Sequence, residues 1–225
     1  MAGIRINEPR PRERPLGWSP FILRSVSSEN LVRPVGPPVR TFSDVLEGRR
    51  SAVGASIDWP NIADLLWYAA GQRGFAESGR AGSPIGWSPT PSSGGLHCVQ
   101  IFCISDDASP PKLYDPIAHR FLILTADGAL VREHNRREVY ATTGAERGCT
   151  LRLVGDWSKL SAAYEHAETL LYRDAGCLAA TVCLCAEWLW LTACPLGFLG
   201  DALLPLLGLP AERFRAVGAV QIGKR

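Results

Sequence analysis

The sequence predicts an α+β fold, and three patterns carry that prediction. Apolar residues recur at helical spacing twice, once early in the chain and once over a long stretch after residue 159. Between these stretches, short runs of β-branched and aromatic residues are separated by turn residues, as is typical of strands. A last strand pattern follows near the end of the chain. Helices and grouped strands in this order favour an α+β architecture.

The first forty residues differ in composition from the rest of the chain. Residues 1–40 contain seven prolines, which fix φ and remove backbone donors too often for a helix. Arginines are also frequent there, and we expect them to be solvated. The sequence therefore predicts a Pro/Arg-rich arm over 1–40, followed by one domain over 41–225.

Two helices are predicted at the start of that domain. Thr41 and Asp44 have the spacing of a capping box, and Gly48 ends the short helix that they begin. Asp58 is placed to cap a second, amphipathic helix that ends at Gly71. The apolar face of this second helix comprises Ile62, Leu65, Leu66 and Ala69.

The middle of the chain contains most of the predicted strands. A Gly-, Ser- and Pro-rich loop from Gly71 to Gly95 precedes them, and loops of this length usually line a site. The predicted strands cover residues 99–104, 113–114, 121–124, 150–154 and 214–222, with a weak helix over 133–141 and a short helix over 200–207.

A long helix is predicted from about Lys159 to Leu191. Its first half is amphipathic, whereas its second half is apolar on all sides except for Glu187. The stretch from Cys177 to Gly200 is long enough to cross a bilayer, but it lacks basic anchors at its end until Arg213. We therefore expect a buried helix in the core of a homodimer, with Glu187 needing a polar or charged partner there.

The composition excludes several function classes. The net charge is +2, from 24 basic and 22 acidic residues, which is too balanced to favour nucleic acid. Seven cysteines without a C-x-x-C pair, and four histidines, indicate neither a metal site nor a disulfide framework. No apolar signal stretch follows the first residues. We expect a cytoplasmic protein that does not associate with membranes.

Two short segments carry the functional prediction. Arg49, Arg50 and Ser51 follow the first helix and offer two guanidinium groups and a hydroxyl to an anionic phosphate. The second segment runs from Pro91 to His97, where small hydroxyl residues and a Gly-Gly pair let the backbone approach a flat polar ligand. Together the two segments predict a nucleotide-like cofactor.

The order of these features resembles the nitroreductase-fold flavoproteins, and among them the SagB-type dehydrogenases and azoline oxidases. The resemblance covers about residues 41–223. It is carried by residues 49–51, 65–67, 70–71, 91–97, 114–116, 119, 173–176, 186–187 and 196–197. The resemblance implies a central, mostly antiparallel sheet flanked by helices, and a long helix at a twofold dimer interface.

The same resemblance implies a cofactor, FMN, bound at that interface. The implied cofactor-binding residues are Arg49, Arg50 and Ser51 at the phosphate, Pro91, Ser92, Ser93, Gly94 and Gly95 along the ring, and Leu196 and Gly197. Lys224 and Arg225 either contact the phosphate or form a solvated tail.

Two residues are candidates for catalysis. His97 follows the Gly-Gly pair and either donates to the flavin or substrate or has a structural role. Tyr164 is predicted on the long helix, where azoline oxidases have a Lys-Tyr pair, but Ala163 replaces the lysine here. A core or interface tyrosine is the alternative.

The sequence thus predicts an FMN-dependent oxidoreductase that transfers a hydride through flavin N5. Its predicted substrate is a modified peptide or a carrier-bound biosynthetic intermediate, with biosynthetic proteins as possible partners. Family arginines are missing at Ser88 and in residues 52–54, and Cys98 and Gln100 replace a Pro and a Glu. These departures leave two alternatives: a flavin-free scaffold or partner subunit, and a broad-range nitro or quinone reductase.

Overall fold

Seven strands form one antiparallel sheet, in a computed structural model that describes residues 7–79 and 84–225. The helices of these residues are α1 (Phe42–Gly48), α2 (Trp59–Ala70), α3 (Gly128–Thr143), α4 (Trp157–Ala163) and α5 (Glu168–Trp188). The strands are β1 (Arg10–Pro11), β2 (Ser25–Asn30), β3 (Gly74–Ala76), β4 (Ile85–Trp87), β5 (Val99–Ser105), β6 (Lys112–Asp115), β7 (Arg120–Leu124), β8 (Cys149–Asp156), β9 (Tyr164–Glu165), β10 (Leu191–Leu196) and β11 (Phe214–Lys224).

The main sheet has the strand order β10-β11-β8-β5-β6-β7-β2. Its two faces are covered by different helices. On one face α2 and α5 pack over a core that includes Leu66, Leu151 and Val182. On the other face α3 and the turns after residue 200 pack over a core that includes Phe102 and Phe214. This three-layer arrangement confirms the predicted α+β class with a central antiparallel sheet.

The capped helices form as their sequences predict. Thr41 and Asp44 make both hydrogen bonds of a capping box at the start of α1. The side chain of Asp58 accepts from the Asn61 N–H at the start of α2, and Gly71 follows its last residue. The buried residues of α2 are Ile62, Ala63, Leu65, Leu66 and Ala69, which contain the predicted apolar face.

The prediction of one helix over 159–191 is wrong. The chain leaves the helix after α4, and β9 pairs there with β1 in the N-terminal segment. His166 then has a φ of 51°, which a continuous helix does not allow. At the other end, Trp190 has a φ of 60° and the chain turns directly into β10. The predicted helix over 200–207 is two short 3-10 turns, Asp201–Leu203 and Pro205–Leu207.

The helix α5 lies on the sheet through one face. By length and hydropathy it is the one helix of the described residues that could span a membrane. Its buried residues are Leu171, Asp174, Ala175, Leu178, Val182, Cys183, Ala186 and Glu187. At Gly155 of β8 a Cβ atom would lie 2.5 Å from Leu171 Cδ1, so a glycine is needed where α5 meets the strand.

The N-terminal segment adds to the main domain. Its strand β2 pairs with β7 at the edge of the main sheet, opposite the edge formed by β10. Arg40 at the end of this segment forms a buried ion pair with Glu187 at 2.9 Å. Residues of the predicted arm therefore contact one edge of the sheet and the C-terminal end of α5.

Candidate functional site

The turn from Pro91 to His97, here called the serine turn, lies between β4 and β5. Ser93–Gly95 form a short 3-10 turn in which Gly94 and Gly95 have φ values of 61° and 69°. Side chains are strained in this left-handed region, which explains the Gly-Gly pair. The turn thus exposes main chain where the sequence predicts contact with a flat ligand.

The serine turn is held by a carboxylate from α5. Asp174 is 7% exposed and accepts from the Ser92 hydroxyl at 2.9 Å, the Ser93 N–H at 3.0 Å and the Ser93 hydroxyl at 2.8 Å. The Ser92 hydroxyl oxygen also accepts from the His97 N–H at 2.9 Å. Both serine hydroxyls therefore shape the turn. No role for Asp174 is predicted from the sequence, although it belongs to the segment 173–176 that carries the family resemblance.

Tyr164 lies beside the same turn. It belongs to β9, between α4 and α5, and not to a helix as predicted. A Cβ atom on Gly94 would lie 2.6 Å from the Tyr164 hydroxyl oxygen, so this hydroxyl sits directly against the turn. The structure thus brings together Tyr164 and the serine turn, which the sequence places about seventy residues apart.

His97 closes the serine turn in a neutral form. Its Nε2 is 2.8 Å from the Gly86 carbonyl oxygen, which can only accept, so Nε2 carries the proton. Burial lowers the pKa of His97 and outweighs the hydrogen bond to the Gly86 carbonyl, which raises it; the charge of the nearby Lys159 also lowers the pKa. A neutral ring with a proton on Nε2 leaves Nδ1 as an acceptor.

A cavity of about 400 Å³ lies next to the serine turn. Ser92, His97 and Asp174 line one side of it, and the ends of β5 and β6 line another. Most of its remaining wall is apolar. Its other lining residues are Pro20, Phe21, Ala70, Gln72, Ser88, Thr90, Pro91, Val99, Gln100, Ile101, Leu113, Tyr114, Asp115, Pro116, Leu122 and Leu178.

The predicted phosphate residues lie elsewhere, around the C-terminal end of α5. Ser51 bridges to Ala193 of β10, which fixes the loop after α1 against the sheet. Arg49 is partly buried, and its guanidinium has no hydrogen-bond or ion-pair partner among the described residues. Arg50 is exposed and donates to the carbonyls of Glu47 and Arg49, at the end of α1. Arg49 is therefore the better placed of the two arginines for an anion.

The two residues at the end of the chain are already paired. Lys224 forms an exposed ion pair with Asp58 at 2.5 Å. Arg225 pairs with Glu187, which is 4% exposed and also binds Arg40. The charge of Glu187 is therefore compensated within the chain, not by a second copy as predicted.

The two predicted groups are not brought together in one chain. The serine turn is held at Asp174 of α5, whereas Arg49 acts on Cys183 and Gly48 lies against Glu187. These positions are nine and thirteen residues from Asp174, which corresponds to about 14–20 Å at 1.5 Å per residue. Leu196 is buried on the α3 side of the sheet beside Val139, and Gly197 is exposed. Neither of these last two residues lies at the serine turn.

The cysteines do not form a reactive centre. All seven are free, and burial raises the pKa of Cys98, beside the serine turn, to about 12. Within residues 7–79 and 84–225, no cluster of His, Cys, Asp and Glu could hold a metal ion. The chemistry of the site therefore depends on its hydrogen-bonding side chains, on its main-chain groups and on the ligand that the serine turn binds.

Comparison with known proteins identifies the fold. No protein-family model matches the chain, and no curated protein is significantly similar to it in sequence. Among solved structures, a provisionally named nitroreductase from Ralstonia eutropha matches with a TM-score of 0.67 and 19% identity, covering 94% of this chain and 97% of that one. Another from Desulfovibrio desulfuricans, in complex with FMN, matches with a TM-score of 0.52 and 18% identity over 82% and 86%.

A third similar structure is the E. coli microcin synthetase McbBCD complex with truncated pro-MccB17 bound. It matches with a TM-score of 0.60 and 17% identity, covering 88% of this chain and 78% of that one. At these identities the likeness concerns the fold. The chain has a nitroreductase-like fold, as its sequence predicted.

Proposed function

We propose that this protein is an FMN-dependent oxidoreductase. The observation that carries the proposal is the serine turn, where Gly94 and Gly95 present main chain without side chains and Asp174 fixes their position. Solved structures of the same fold include provisionally named nitroreductases in complex with FMN, which supports this choice of cofactor.

The donor set fits FMN at both ends. A flavin ring needs a flat, partly apolar surface with few placed donors, and the two glycines and the Tyr164 hydroxyl supply one. The phosphate needs an uncompensated cation, and Arg49 is available, with Ser51 beside it. When bound, FMN would supply hydride transfer, which no side chain of this site supplies. The protein would orient the reactants and exclude water.

We propose a homodimer because the two ends of the site are separated along α5. About 14–20 Å of this helix lies between the phosphate residues and the serine turn, which favours a flavin that takes its phosphate contacts from one copy and its ring contacts from the other. Two copies packed with antiparallel α5 helices would bring the Arg49 loop of one to the serine turn of the other. The outer face of α5 supports such packing, because Tyr172, Gly176, Cys177 and Ala180 are exposed.

Tyr164 and His97 would act at the ring end of the site. Neutral His97 holds Gly86 through Nε2 and keeps Nδ1 as an acceptor. We propose that His97 positions the turn and accepts a hydrogen bond from the ligand. Because Ala163 stands in place of the family lysine and Lys159 Nζ donates to the Leu96 carbonyl at 2.6 Å, Tyr164 would help to position the ring and would not serve as the general base.

The substrate class is the finer part of the proposal. The McbBCD complex, which holds truncated pro-MccB17, supports a peptide or a carrier-bound biosynthetic intermediate and biosynthetic partner proteins. Seven free cysteines support a reducing, cytoplasmic location. A flavin-free scaffold is the second candidate, because Glu187 already neutralises Arg225.

An absorbance spectrum before and after FMN addition tests the cofactor. We expect a flavin spectrum, either as purified or after one equivalent of FMN and removal of the excess. A protein that stays colourless and shows no saturable quenching of FMN fluorescence would contradict the enzyme and favour the scaffold. Light scattering tests the dimer, and a monomer at micromolar concentration would contradict it.

A further inference from the structure

The strands β5 and β6 separate at the start of β5 and leave the cavity of about 400 Å³ between them. Their ladder contains Phe102 paired with Leu113 and Cys103 paired with Lys112. The residues beyond this ladder, Val99 and Ile101 on one side and Tyr114 on the other, line the cavity. The cavity therefore opens along a strand edge inside the main sheet.

The hydrogen-bond alternation shows which main-chain groups face this opening. The Cys98 carbonyl accepts from the Asp156 N–H at 2.9 Å, so the main chain of Cys98 faces the β8 side. In an antiparallel pair such residues alternate with residues that turn the other way. Val99 is thus directed towards β6, and its N–H and C=O have no hydrogen-bond partner among the described residues.

The cavity wall also offers an unused polar group and no positive charge. Gln100 lines the cavity, and its buried Oε1 has no hydrogen-bond partner in residues 7–79 and 84–225. The two carboxylates in the wall are occupied, Asp174 by the serine turn and Asp115 by Arg120 at 2.9 Å. No Lys or Arg of the described chain lines the cavity. An anionic ligand would have no countercharge there.

Apolar side chains from both faces of the sheet complete the wall. Phe21 and Leu122 contribute from the α3 face, and Tyr114 and Leu178 from the α5 face. Side chains of an extended peptide point alternately to the two faces of a sheet. A neutral peptide strand would match this two-sided apolar wall and the open main chain of Val99.

We propose that this cavity binds an uncharged, extended peptide segment by strand addition to the Val99 edge of β5. Only Val99 offers main chain to the opening, because Gln100 bonds towards β8 and Ile101 adjoins the ladder with β6. One residue of an extended peptide therefore pairs with Val99, and with its two neighbours it spans about 10 Å at 3.3 Å per residue. Because His97 and Ser92 line the same cavity, the peptide lies beside the proposed flavin site. The inference rests on the proposed function for its substrate role, but the binding itself needs no flavin.

Titration of the isotope-labelled full-length protein with acetyl-Val-Ala-Val-N,N-dimethylamide, whose N–H groups are the three of its residues, followed by NMR, tests the proposal. We expect saturable shifts centred on the Val99 amide and slower exchange of its proton. The three peptide N–H groups are then methylated one at a time. At least one methylated peptide should bind about two- to tenfold more weakly, as expected for one lost hydrogen bond. Equal binding by all three would overturn strand addition.

A matched pair of variants provides a second readout. Val99→Pro removes the N–H that faces the cavity, at a strand position where proline costs no bond to β8, whereas Val99→Ala keeps that N–H. We expect about two- to tenfold weaker peptide binding by the proline variant alone. Equal binding by both variants would overturn the proposal. If the proline variant does not fold, the methylated peptides still decide.

The outcome is separable from that of the cofactor proposal. Peptide binding is measured both before and after FMN addition. Peptide binding by a protein that takes up no flavin would contradict the oxidoreductase and leave the strand site standing. Flavin uptake without any peptide-dependent shift near Val99 would overturn the strand site alone. If acetyl-pantetheine binds to this cavity and the tripeptide does not, the strand site is also overturned.

Discussion

Replacing Asp174 by alanine removes the carboxylate that holds the serine turn to α5. Three donors lose their acceptor: the Ser92 hydroxyl, the Ser93 N–H and the Ser93 hydroxyl. The hydroxyls can rotate towards other acceptors, but the Ser93 N–H is fixed by the backbone. Since one unsatisfied buried group costs about 1–3 kcal/mol and the loss of the two hydroxyl bonds adds about 1 kcal/mol, we expect a loss of about 2–4 kcal/mol in the free energy of unfolding.

The size of this effect can be measured by urea denaturation and by thermal melting. For a chain of this length, 1 kcal/mol corresponds to a shift of about 2–4 °C, so the melting temperature of Asp174→Ala should fall by about 5–15 °C. Asp174→Asn retains one acceptor oxygen and should lose less. Glu168→Ala serves as the control, because Glu168 is exposed at the start of the same helix and should change stability by less than about 1 kcal/mol.

FMN uptake by the same variants links stability to function. Asp174→Ala should weaken FMN binding at temperatures where it remains folded, because the main chain of the serine turn is no longer fixed. If Asp174→Ala unfolds at the same urea concentration as the parent and binds FMN equally well, Asp174 does not hold the turn, and the assignment of this site is wrong.

Three further predictions concern single residues of the site. Arg49→Ala should weaken FMN binding about tenfold or more in fluorescence titrations, as expected for a charge-assisted bond of about 1.5–3 kcal/mol. Arg50 is exposed, so Arg50→Ala should change FMN binding less than about threefold. Equal effects of the two substitutions would contradict the phosphate assignment. Gly94→Ala should lower the free energy of unfolding by about 1–2 kcal/mol because of its positive φ and the contact with the Tyr164 hydroxyl. Adding Tyr164→Phe to this variant should restore the part of the loss that comes from the contact, but not the part that comes from φ, as measured by urea denaturation. Burial lowers the pKa of His97, so the unfolded state binds the proton more readily than the folded state. The free energy of unfolding should therefore fall as pH decreases below about 6.5. If the free energy of unfolding of a His97→Gln variant falls equally with pH, another group causes the effect.

The local parts of the fold could be predicted from the sequence. The capping residues Thr41 and Asp58 act within three positions of themselves, so their helices begin as expected. The long helix could not be predicted correctly, because the break at Tyr164 depends on pairing with Pro11, more than 150 positions earlier. β10 was also missed, because a mostly buried strand reads as an apolar run that periodicity cannot distinguish from a helix.

The candidate site shows the same difference between residues with a local signature and residues whose role depends on distant contacts. The residues of the serine turn could be identified because Ser92, Ser93 and the glycines have a local signature. Asp174 could not be assigned, because its contacts with the turn span 81 and 82 positions. Nothing in the spacing around Asp174 separates it from a solvated helix residue, and only the packing of α5 on the sheet brings it to the turn.

The position of Glu187 changes the basis on which a dimer is expected. The sequence suggests that a carboxylate in an apolar helix needs a partner from a second copy, but Arg40 and Arg225 provide that partner within the chain. A single copy therefore compensates the charge of Glu187, and this carboxylate does not require association. The proposed dimer rests instead on the separation between Arg49 and the serine turn along α5. If that proposal is right, assembly is needed for cofactor binding and not for folding, so a variant that blocks association should remain folded and lose FMN.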